Sequence, residues 1–387
     1  MLRYIVLPSN EFNFDDLQIA LLNYIVAKEK NSNFLTIVDD ISKEYIEGKE
    51  QEIIDILKKF AIDTEQKVYR KDNLSIYQRF ATKLVEDKKA FICFCDEVQS
   101  KCSSCKKLPK EQIKNKLDSK EPYTIRLNHE NREQIILQKN QIPTFDFASA
   151  IDNMIYNINT IVAKDSEDSS IKEQISILKL FDYSSEINSF YIKTSKTPTV
   201  VELLKSGFLP DAIINYAINL IYPTSKEVFY LPDAIKWLDI SKLDSRAKSF
   251  NIEELKELNR KHLLKMDSKK LSSTVGFADS DIGELLKLFL KNLFTINELE
   301  SKFKQIFKPK NCKNDIDSFK QISDIIKKAP MIDNFLQFKE YLVKKSNFSD
   351  TKVEDIIVEL FGVKDIKEAK EVYPFIKSYI LEVARCQ

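Results

Sequence analysis

Short apolar runs and helical periodicity alternate at the start of the chain. The apolar run at residues 4–7 predicts a strand, residues 15–28 have the 3.6-residue period of a helix, and residues 34–38 predict a second strand. A loop at residues 8–14 separates the first strand from the helix. This order is typical of the first part of a nucleotide-binding α/β domain.

The same alternation continues to about residue 206. Helical periodicity predicts helices at residues 46–60, before residue 87, at 143–152, from 171 and at 200–206. Apolar runs predict strands at residues 90–95, 123–127, 134–138 and 158–163. Strands and helices in alternation favour a parallel α/β sheet.

The pattern changes after Gly207 and Pro210, which form a helix stop signal. From residue 211 onwards almost all periodicity is helical, with breaks at Pro223, Pro232, Pro309 and Pro330. We therefore predict an α/β part followed by an all-α part, with the boundary near residues 225–245.

Composition adds few constraints. The chain has 387 residues, of which 43% are apolar and 31% charged, so two or three globular domains are expected. The net charge of +1 says little about partners. No apolar run reaches the roughly 18 residues of a membrane span, and the N-terminus has no leader pattern, so we expect a cytoplasmic protein without a membrane partner.

The first loop lacks the chemistry of a phosphate site. The chain has 5 glycines, whereas average usage predicts about 27, and none lies in a phosphate-binding motif. Asp15 and Asp16 occupy the start of the first helix, where a phosphate would otherwise be attracted. We expect them to repel ATP. The two histidines, His129 and His262, are expected to be surface or packing residues.

Four cysteines within thirteen positions form the most metal-like segment: Cys93, Cys95, Cys102 and Cys105. Their C-x-C and C-x-x-C pairs could place four thiolates around a tetrahedral zinc ion. In the alternative arrangement, Cys93 and Cys95 lie on opposite faces of a strand while the other two are free in a loop. Cys312 and Cys386 look unrelated to this group.

Several blocks in the same order resemble bacterial glutamyl-tRNA synthetases, which are class I aminoacyl-tRNA synthetases. The matching blocks are residues 2–4, 19–24, 46–50, 90–95, 143–148, 207–216, 234–239 and 373–379. The resemblance implies a Rossmann-like catalytic-type domain at residues 1–240, with a shortened insertion near 93–142. A helical, anticodon-binding-like region at residues 241–387 would follow.

The departures from this family fall on its catalytic signatures. The signature of the His-Ile-Gly-His type is replaced by Asn13, Phe14, Asp15 and Asp16. Other replaced positions are Thr36 and Val38 for an arginine and a glutamate, Ala163 for the arginine that faces the substrate carboxylate, and Phe145 and Asp146 for a Tyr-Asn pair.

A few family positions persist. The resemblance implies vestigial substrate contacts at Arg3, whose counterpart contacts the amino acid, and at Ser9 and Asp39. The lysine-methionine-serine-lysine loop persists only as Lys193, Ser195 and Lys196. Removing one oxyanion-type donor costs on the order of 10² to 10³ in rate. Because several such groups have changed together, we predict that ATP-dependent glutamate activation is lost and that ATP binding is weak or absent.

The helical half contains a basic stretch that could contact RNA phosphates: Lys302, Lys304, Lys308, Lys310 and Lys313. Phe303 and Phe307 alternate with these lysines and could stack on bases. Alternatively, the stretch is a solvated amphipathic helix whose phenylalanines belong to the core.

Three functions remain open at this point. The first is a non-catalytic protein that binds tRNA or a translation partner, such as the authentic synthetase or an amidotransferase. The second is a structural or regulatory interaction protein. The third is an enzyme with residual or altered aminoacylation activity that uses Lys193 and Lys196.

Overall fold

The computed structural model describes residues 1–8, 11–63, 66–95, 102–128, 133–193, 196–222, 224–243, 249–311 and 315–385. The chain divides into two compact units. The first unit comprises Met1–Glu202 and Ile214–Phe250, and the second comprises Leu203–Ile213 and Asn251–Gln387. The apolar pattern did not predict that residues 203–213 would group with the later helices in the second unit. Within the described ranges, no helix is long and apolar enough to cross a membrane.

The first unit contains a five-stranded parallel sheet with the strand order β3-β2-β1-β7-β8. Its strands are β1 (Leu2–Val6), β2 (Phe34–Val38), β3 (Gln66–Tyr69), β7 (Thr160–Lys164) and β8 (Asn188–Ile192). β1 and β2 pair in register from Leu2 opposite Phe34 to Val6 opposite Val38. The predicted parallel α/β sheet is confirmed, and its strand order is that of a Rossmann-type fold.

A second, antiparallel sheet forms within the insertion, with the strand order β4-β5-β6. Its strands are β4 (Ala90–Cys93), β5 (Thr124–Leu127) and β6 (Ile135–Leu137). The alternation of strands and helices along the sequence did not predict that these three strands form a sheet of their own. Parallel neighbours need a crossover of a dozen or more residues. The connection between β5 and β6 is too short for one, so these two strands pair antiparallel.

The apolar pattern did not predict the two outer strands, β3 and β8. Both are edge strands of the parallel sheet and are only partly buried. They carry polar residues such as Lys67 and Asn188, so neither shows the continuous apolar run of a central parallel strand.

Helices make up most of the rest of the first unit. They are α1 (Phe14–Glu29), α2 (Lys49–Lys59), α3 (Leu74–Glu86), α4 (Ser103–Lys106), α5 (Lys110–Asp118), α6 (Phe145–Ile155) and α7 (Asp168–Leu180). The division between the units falls within α8 (Val200–Lys205) and α9 (Pro210–Asn219), and α10 (Leu231–Trp237) belongs to the first unit.

α1 is buried on nearly all sides, and a polar clamp joins it to the sheet. Asn23 Nδ2 donates to the Val162 carbonyl at 2.9 Å, and the Val162 amide donates back to Asn23 Oδ1 at 3.1 Å. Asn23 is fully buried, so both ends of its amide are satisfied within the core. This clamp fixes the middle of α1 relative to β7.

The second unit is helical throughout its described residues. Besides parts of α8 and α9, it contains α11 (Ile252–Lys265), α12 (Ser268–Ser273), α13 (Ser280–Phe289), α14 (Ile296–Phe307), α15 (Ile316–Lys328), α16 (Phe335–Ser346), α17 (Asp350–Phe361), α18 (Ile366–Ile376) and α19 (Ile380–Val383). One apolar cluster extends from Leu263 to Ala384 and forms its core.

His262 is a packing residue of this unit, on the buried side of α11. Its side chain is 2% exposed. Burial lowers the pKa of His262 from 6.5 to about 4, and the positive charge of Lys265 acts in the same direction. Folding therefore requires the neutral imidazole at this position.

We expect stability to fall as the pH decreases from about 6.5 towards 4, because the unfolded chain binds the His262 proton more tightly than the folded chain does. The contribution approaches about 1.4 kcal/mol per pH unit within this window. Urea unfolding of the wild type and of His262→Gln at several pH values measures it. The pH slope should be smaller in His262→Gln than in the wild type, and equal slopes in the two proteins would contradict this assignment.

Candidate active site and metal centre

The candidate site lies at the carboxyl edge of the parallel sheet, between β1 and β7. The strand order reverses here, and ligands of open α/β sheets bind at such switch points. α1 begins after β1 with Asp15 and Asp16 in its first turn, and β7 ends at Lys164. The sequence therefore brings two acids and one base to the same edge.

Asp15, Asp16 and Lys164 form a charge bridge. Lys164 Nζ lies 2.6 Å from Asp15 Oδ2 and 2.6 Å from Asp16 Oδ1. All three side chains are at most one quarter exposed. A single ammonium group thus compensates two adjacent carboxylates at the point where the family resemblance implies ATP chemistry.

Burial and the neighbouring charges shift the pKa of both an acid and the base of this bridge. Burial raises the pKa of Asp16, although Lys164 partly opposes it. Burial alone would lower the pKa of Lys164, but Asp16 and the hydrogen bonds to both carboxylates raise it. Lys164 therefore remains an ammonium group at neutral pH and stays committed to the two acids.

The bridge also holds the loop that follows β8. Thr197 Oγ1 donates to Asp15 Oδ1 at 2.8 Å. Two backbone bonds run beside this contact, from the Phe14 amide to the Pro198 carbonyl at 3.0 Å and from the Val200 amide to the Phe12 carbonyl at 2.9 Å. The loop is consequently attached to the start of α1 by backbone and side-chain bonds.

The two lysines predicted on this loop, Lys193 and Lys196, are both exposed. Ser195 and Ser9 lie outside the described residues. The structure therefore places the loop ends beside the charge bridge, and the lysines themselves face solvent.

Asn13 and Phe14 have structural contacts at the start of α1. The Asn13 amide donates to Asp16 Oδ2 at 3.0 Å. The Phe14 ring is 1% exposed, and its centroid lies 5.7 Å from that of Tyr216 and 5.0 Å from that of Phe250. The position that the resemblance assigns to phosphate handling is therefore part of the apolar core.

Arg3 lies in the middle of the site and bonds to neutral groups. Its Nε donates to Asn153 Oδ1 at 2.6 Å, and Nη2 donates to Gln174 Oε1 at 3.0 Å. Burial lowers the pKa of Arg3 to about 10, and the nearby Arg70 acts in the same direction. The guanidinium is charged at neutral pH, yet no carboxylate among the described residues pairs directly with it.

Asp39 belongs to a separate buried network around Arg70. Arg70 Nη1 lies 3.1 Å from Asp39 Oδ1, and Arg70 Nε donates to Asp152 Oδ2 at 3.0 Å. Arg70 Nη2 donates to Ser149 Oγ at 2.6 Å, and the Tyr77 hydroxyl donates to Asp152 Oδ1 at 2.6 Å. Burial opposes the charge, but Asp152 and Asp39 raise the pKa of Arg70. Asp39 is thus already paired within the protein.

The four clustered cysteines lie together at the end of β4. Their Sγ atoms all lie within 4.8 Å of one another, with 3.4 Å between Cys95 and Cys102 and 3.5 Å between Cys95 and Cys105. The alternative arrangement, with the pairs apart, does not occur, because β4 ends at Cys93 and Cys102 caps the short helix α4. Zn–S bonds of about 2.3 Å in a tetrahedron require sulfur separations of roughly 3.8 Å. The cluster is compatible with that geometry.

Hydrogen bonds support the cysteine cluster. The Phe94 amide donates to Cys105 Sγ at 3.4 Å, and the Cys105 amide donates to Cys102 Sγ at 3.4 Å. Burial opposes ionisation, but hydrogen bonds from Ser104 and from the Cys105 amide lower the pKa of Cys102 to about 6. Donors of this kind stabilise thiolates, which are the form that binds metal.

The basic stretch in the second unit makes mostly internal contacts. Lys302 pairs with Glu368 at 2.8 Å, Lys304 pairs with Glu300, and Lys310 Nζ donates to the Ile306 carbonyl at 2.7 Å. Burial lowers the pKa of Lys310 to about 8. Lys308 is exposed, and Lys313 lies outside the described residues.

The two phenylalanines of this stretch belong to the core of the second unit. The Phe303 and Phe307 rings stack at a centroid distance of 4.3 Å, and both pack against Phe277. Phe303 is 5% exposed. Phe303 therefore belongs to the core and does not stack on bases, as the alternative in the sequence analysis had it. RNA binding by the neighbouring lysines stays a prediction.

Comparison with known proteins supports a specific family. Residues 15–134 match the family model of class I tRNA synthetases (E and Q), catalytic domain. The crystal structure of a glutamate tRNA ligase from Elizabethkingia meningosepticum CCUG26117 in complex with its amino acid superposes with a TM-score of 0.77. That match covers 99% of this chain and 97% of the other at 14% identity, so it shows the shared fold alone.

Two curated relatives extend the similarity over full length. Glutamate–tRNA ligase 2 of Sulfurovum sp. (strain NBC37-1) is 36% identical, covering 99% of this chain and 100% of the relative. Glutamate–tRNA ligase 1 of Campylobacter jejuni subsp. jejuni serotype O:2 (strain ATCC 700819 / NCTC 11168) is 30% identical, covering 100% of both chains. The chain belongs to the glutamate–tRNA ligase family. The alignment with the Sulfurovum ligase spans 427 positions, more than the 387 residues of this chain, so that relative has segments that this family member lacks.

Sequence reasoning missed the partners of the charged residues in this family member. It did not pair Lys164 with Asp15 and Asp16, and it did not single out Arg70 or Asp152. These partners are far apart in the chain, and helical or strand periodicity carries no signal for them. The available signal was the simultaneous appearance of two acids at the start of α1 and of a lysine directly after the position where the family has an arginine.

We expect Lys164→Met to destabilise the protein by roughly 2 kcal/mol, because two adjacent, partly buried carboxylates lose their shared cation. Chemical denaturation measures the change. Lys172→Met is the matched control, since Lys172 pairs with Asp168 on the exposed surface of α7 and its loss should have little effect on stability. Equal effects of the two substitutions would show that the charge bridge does not stabilise the site.

Proposed function

We propose that this chain has lost ATP-dependent glutamate activation and acts as a non-catalytic protein that binds tRNA or a partner in translation. The observation that carries the proposal is the charge bridge. Two carboxylates and an ammonium group satisfy one another at the start of α1, where the family signature would handle the phosphates of ATP. None of these groups is left to stabilise a negatively charged transition state.

Electrostatic repulsion and the known rate effects of lost donors both predict slower ATP-dependent activation. A phosphate approaching the start of α1 would meet Asp15 and Asp16 in place of free amide dipoles. One lost oxyanion-type donor costs on the order of 10² to 10³ in rate, and several positions have changed together. The rate losses from separate positions need not multiply, but each of them slows the activation step.

Full-length similarity supports the binding half of the proposal. The curated relatives are named as ligases that join glutamate to tRNA, and the similarity extends through the helical half of the chain. A protein that keeps both parts of such a ligase can keep its tRNA-binding surface without the activation step. The alternatives are a purely structural or regulatory protein, and an enzyme with residual or altered aminoacylation, which the exposed positions of Lys193 and Lys196 would favour.

The test is glutamate-dependent exchange of pyrophosphate into ATP, with and without tRNA. We expect no exchange above background, because the charge bridge replaces the groups that stabilise the transition state. An active glutamate–tRNA ligase from the same family, assayed in parallel, is the positive control. Clear exchange with glutamate would overturn the proposed loss of activation and favour the enzyme alternative.

A gel shift with total tRNA at several salt concentrations tests the binding half. Binding led by phosphate contacts must weaken steeply as salt rises. Lys308→Glu should weaken it if the basic stretch takes part, whereas Lys327→Glu, on α15 and paired with Asp324, is the matched control. No shift at low salt would exclude tRNA, and co-purification with the authentic synthetase or an amidotransferase would then test the translation-partner alternative.

We also propose that Cys93, Cys95, Cys102 and Cys105 hold a structural zinc ion. Four sulfur ligands without an open position are typical of structural zinc rather than catalytic zinc. Three of the four cysteines are buried, and the amide donors and short sulfur separations of the cluster also support this choice. Zinc bound there would join the end of β4 to α4.

Mass spectrometry of the metal content should find about one zinc ion per chain in the purified protein. We expect Cys102→Ser to lose most of the zinc and to melt at a lower temperature, because a structural zinc site contributes to folding. Cys312→Ser is the matched control, since Cys312 lies apart from the cluster in sequence, and it should keep its zinc. An unmodified protein without zinc would end the metal proposal.

A further inference from the structure

The four clustered cysteines differ in their exposure to solvent. Cys93, Cys102 and Cys105 are buried, whereas Cys95 is only partly buried. The Cys95 sulfur also has two close neighbours, since it lies 3.4 Å from Cys102 Sγ and 3.5 Å from Cys105 Sγ. A reagent that arrives from solvent therefore meets Cys95 first, with a second sulfur in contact with it.

This arrangement is typical of thiols that an oxidant converts to a disulfide. In such sites one sulfur is accessible to the oxidant, and a neighbouring cysteine resolves the oxidised form. Cysteines that hold a metal ion are thiolates, which is the nucleophilic form. The proposed zinc site therefore supplies both sulfurs in the reactive state.

Cys102 is better placed than Cys105 to react with Cys95. It caps α4 from the position before the helix begins, so its side chain can turn towards Cys95 without unwinding the helix. Cys105 lies within α4, and its sulfur accepts the Phe94 amide at 3.4 Å. We expect the disulfide to join Cys95 and Cys102.

The segment that follows is attached to the first unit mainly through sulfur. Of residues 102–121, all of which the structure describes, only Cys102 and Cys105 are buried. α5 has no buried residue. Apart from the three buried cysteines, the apolar cluster at this point consists of partly buried residues such as Phe94 and Leu108. Few apolar contacts remain to hold the segment once the cysteines no longer share an ion.

The other contacts of this segment are polar or charged. The Cys102 amide donates to Glu133, and Lys106 Nζ lies 3.6 Å from Glu133 Oε1. Lys116 Nζ lies 5.0 Å from the centroid of the Phe94 ring. Contacts of partly exposed lysines contribute little to stability. The sulfur cluster is thus the main attachment of α4 and α5.

We propose that Cys95 and Cys102 form a hydroperoxide-sensitive pair, whose oxidation to a disulfide releases the zinc ion and loosens residues 105–121. This inference rests on the proposed zinc site and adds its regulation. The disulfide leaves two thiolate ligands, Cys93 and Cys105, whereas a structural zinc site takes four ligands.

The oxidation proceeds in two steps. The Cys95 thiolate attacks one peroxide oxygen, the O–O bond breaks, and the products are a sulfenic acid on Cys95 and a hydroxide ion that takes up a proton. The Cys102 thiolate then attacks the Cys95 sulfur, the S–O bond breaks, and a second hydroxide leaves as water. In total two thiolates, one hydrogen peroxide and two protons give one disulfide and two water molecules.

The test treats the purified, zinc-loaded full chain with hydrogen peroxide and stops the reaction with catalase. Mass spectrometry of unreduced peptides should find Cys95 joined to Cys102, and a chromogenic chelator should detect one zinc ion for each disulfide. Trypsin should then cut after the exposed Lys107, Lys110 and Lys114 several-fold faster than in the untreated protein. Dithiothreitol with added zinc should reverse both changes.

Cys95→His separates zinc binding from oxidation. Three cysteines and one histidine are a common structural zinc set, so this variant should bind zinc and retain both the metal and its resistance to trypsin in peroxide. Cys312→Ser is the matched control and should respond to peroxide as the wild type does. If Cys95→His binds no zinc, the disulfide map and zinc release of the wild type decide.

Three results would each overturn the inference: zinc retained by the wild type in peroxide, zinc lost without a disulfide between Cys95 and Cys102, or zinc lost equally fast from Cys95→His. The zinc site itself stands in all three cases. If the purified protein holds no zinc, the zinc site fails, and the absence of the disulfide after peroxide treatment would then reject the sulfur pair separately.

Discussion

Two carboxylates in the first turn of one helix need a cation when both are mostly withdrawn from water. The constraint applies to Asp15 and Asp16, and Lys164 meets it from the end of β7. Because the cation comes from a different strand, its position fixes the start of α1 against the sheet edge. Thr197 then attaches the following loop to the same carboxylates. The arrangement of the whole edge thus depends on one compensated pair of acids.

At the neighbouring strand ends, buried charges are likewise compensated by groups of opposite charge. Arg70 is fully buried, and it is stabilised by Asp39, Asp152 and Ser149, which bond to its nitrogens. A site for a charged ligand must leave some polar groups without internal partners, because the ligand has to supply the missing bonds. At this edge most charges already have partners.

The central elements could be predicted because their signal is local. The strand Phe34–Val38 has the predicted bounds, and α1 differs by one residue at each end, since continuous burial leaves a continuous apolar run. The edge strands Gln66–Tyr69 and Asn188–Ile192 carry too few apolar residues to be seen. The cysteine cluster was visible because its members are close in sequence. The partners of Lys164 and Arg70 are set by tertiary packing, so no periodicity predicts them.

Paired substitutions also distinguish a reorganised site from a decayed one. Losing a catalytic group alone leaves a cavity or an unpaired partner, whereas Asp15, Asp16 and Lys164 satisfy one another. Removing Lys164 leaves two adjacent carboxylates without a cation, so a return towards a phosphate-binding arrangement through its loss would destabilise the protein. A typical protein has only about 5–15 kcal/mol of stability to lose in total. The charge bridge therefore stabilises the fold and, under the proposed loss of glutamate activation, opposes restoration of that step by the same contacts.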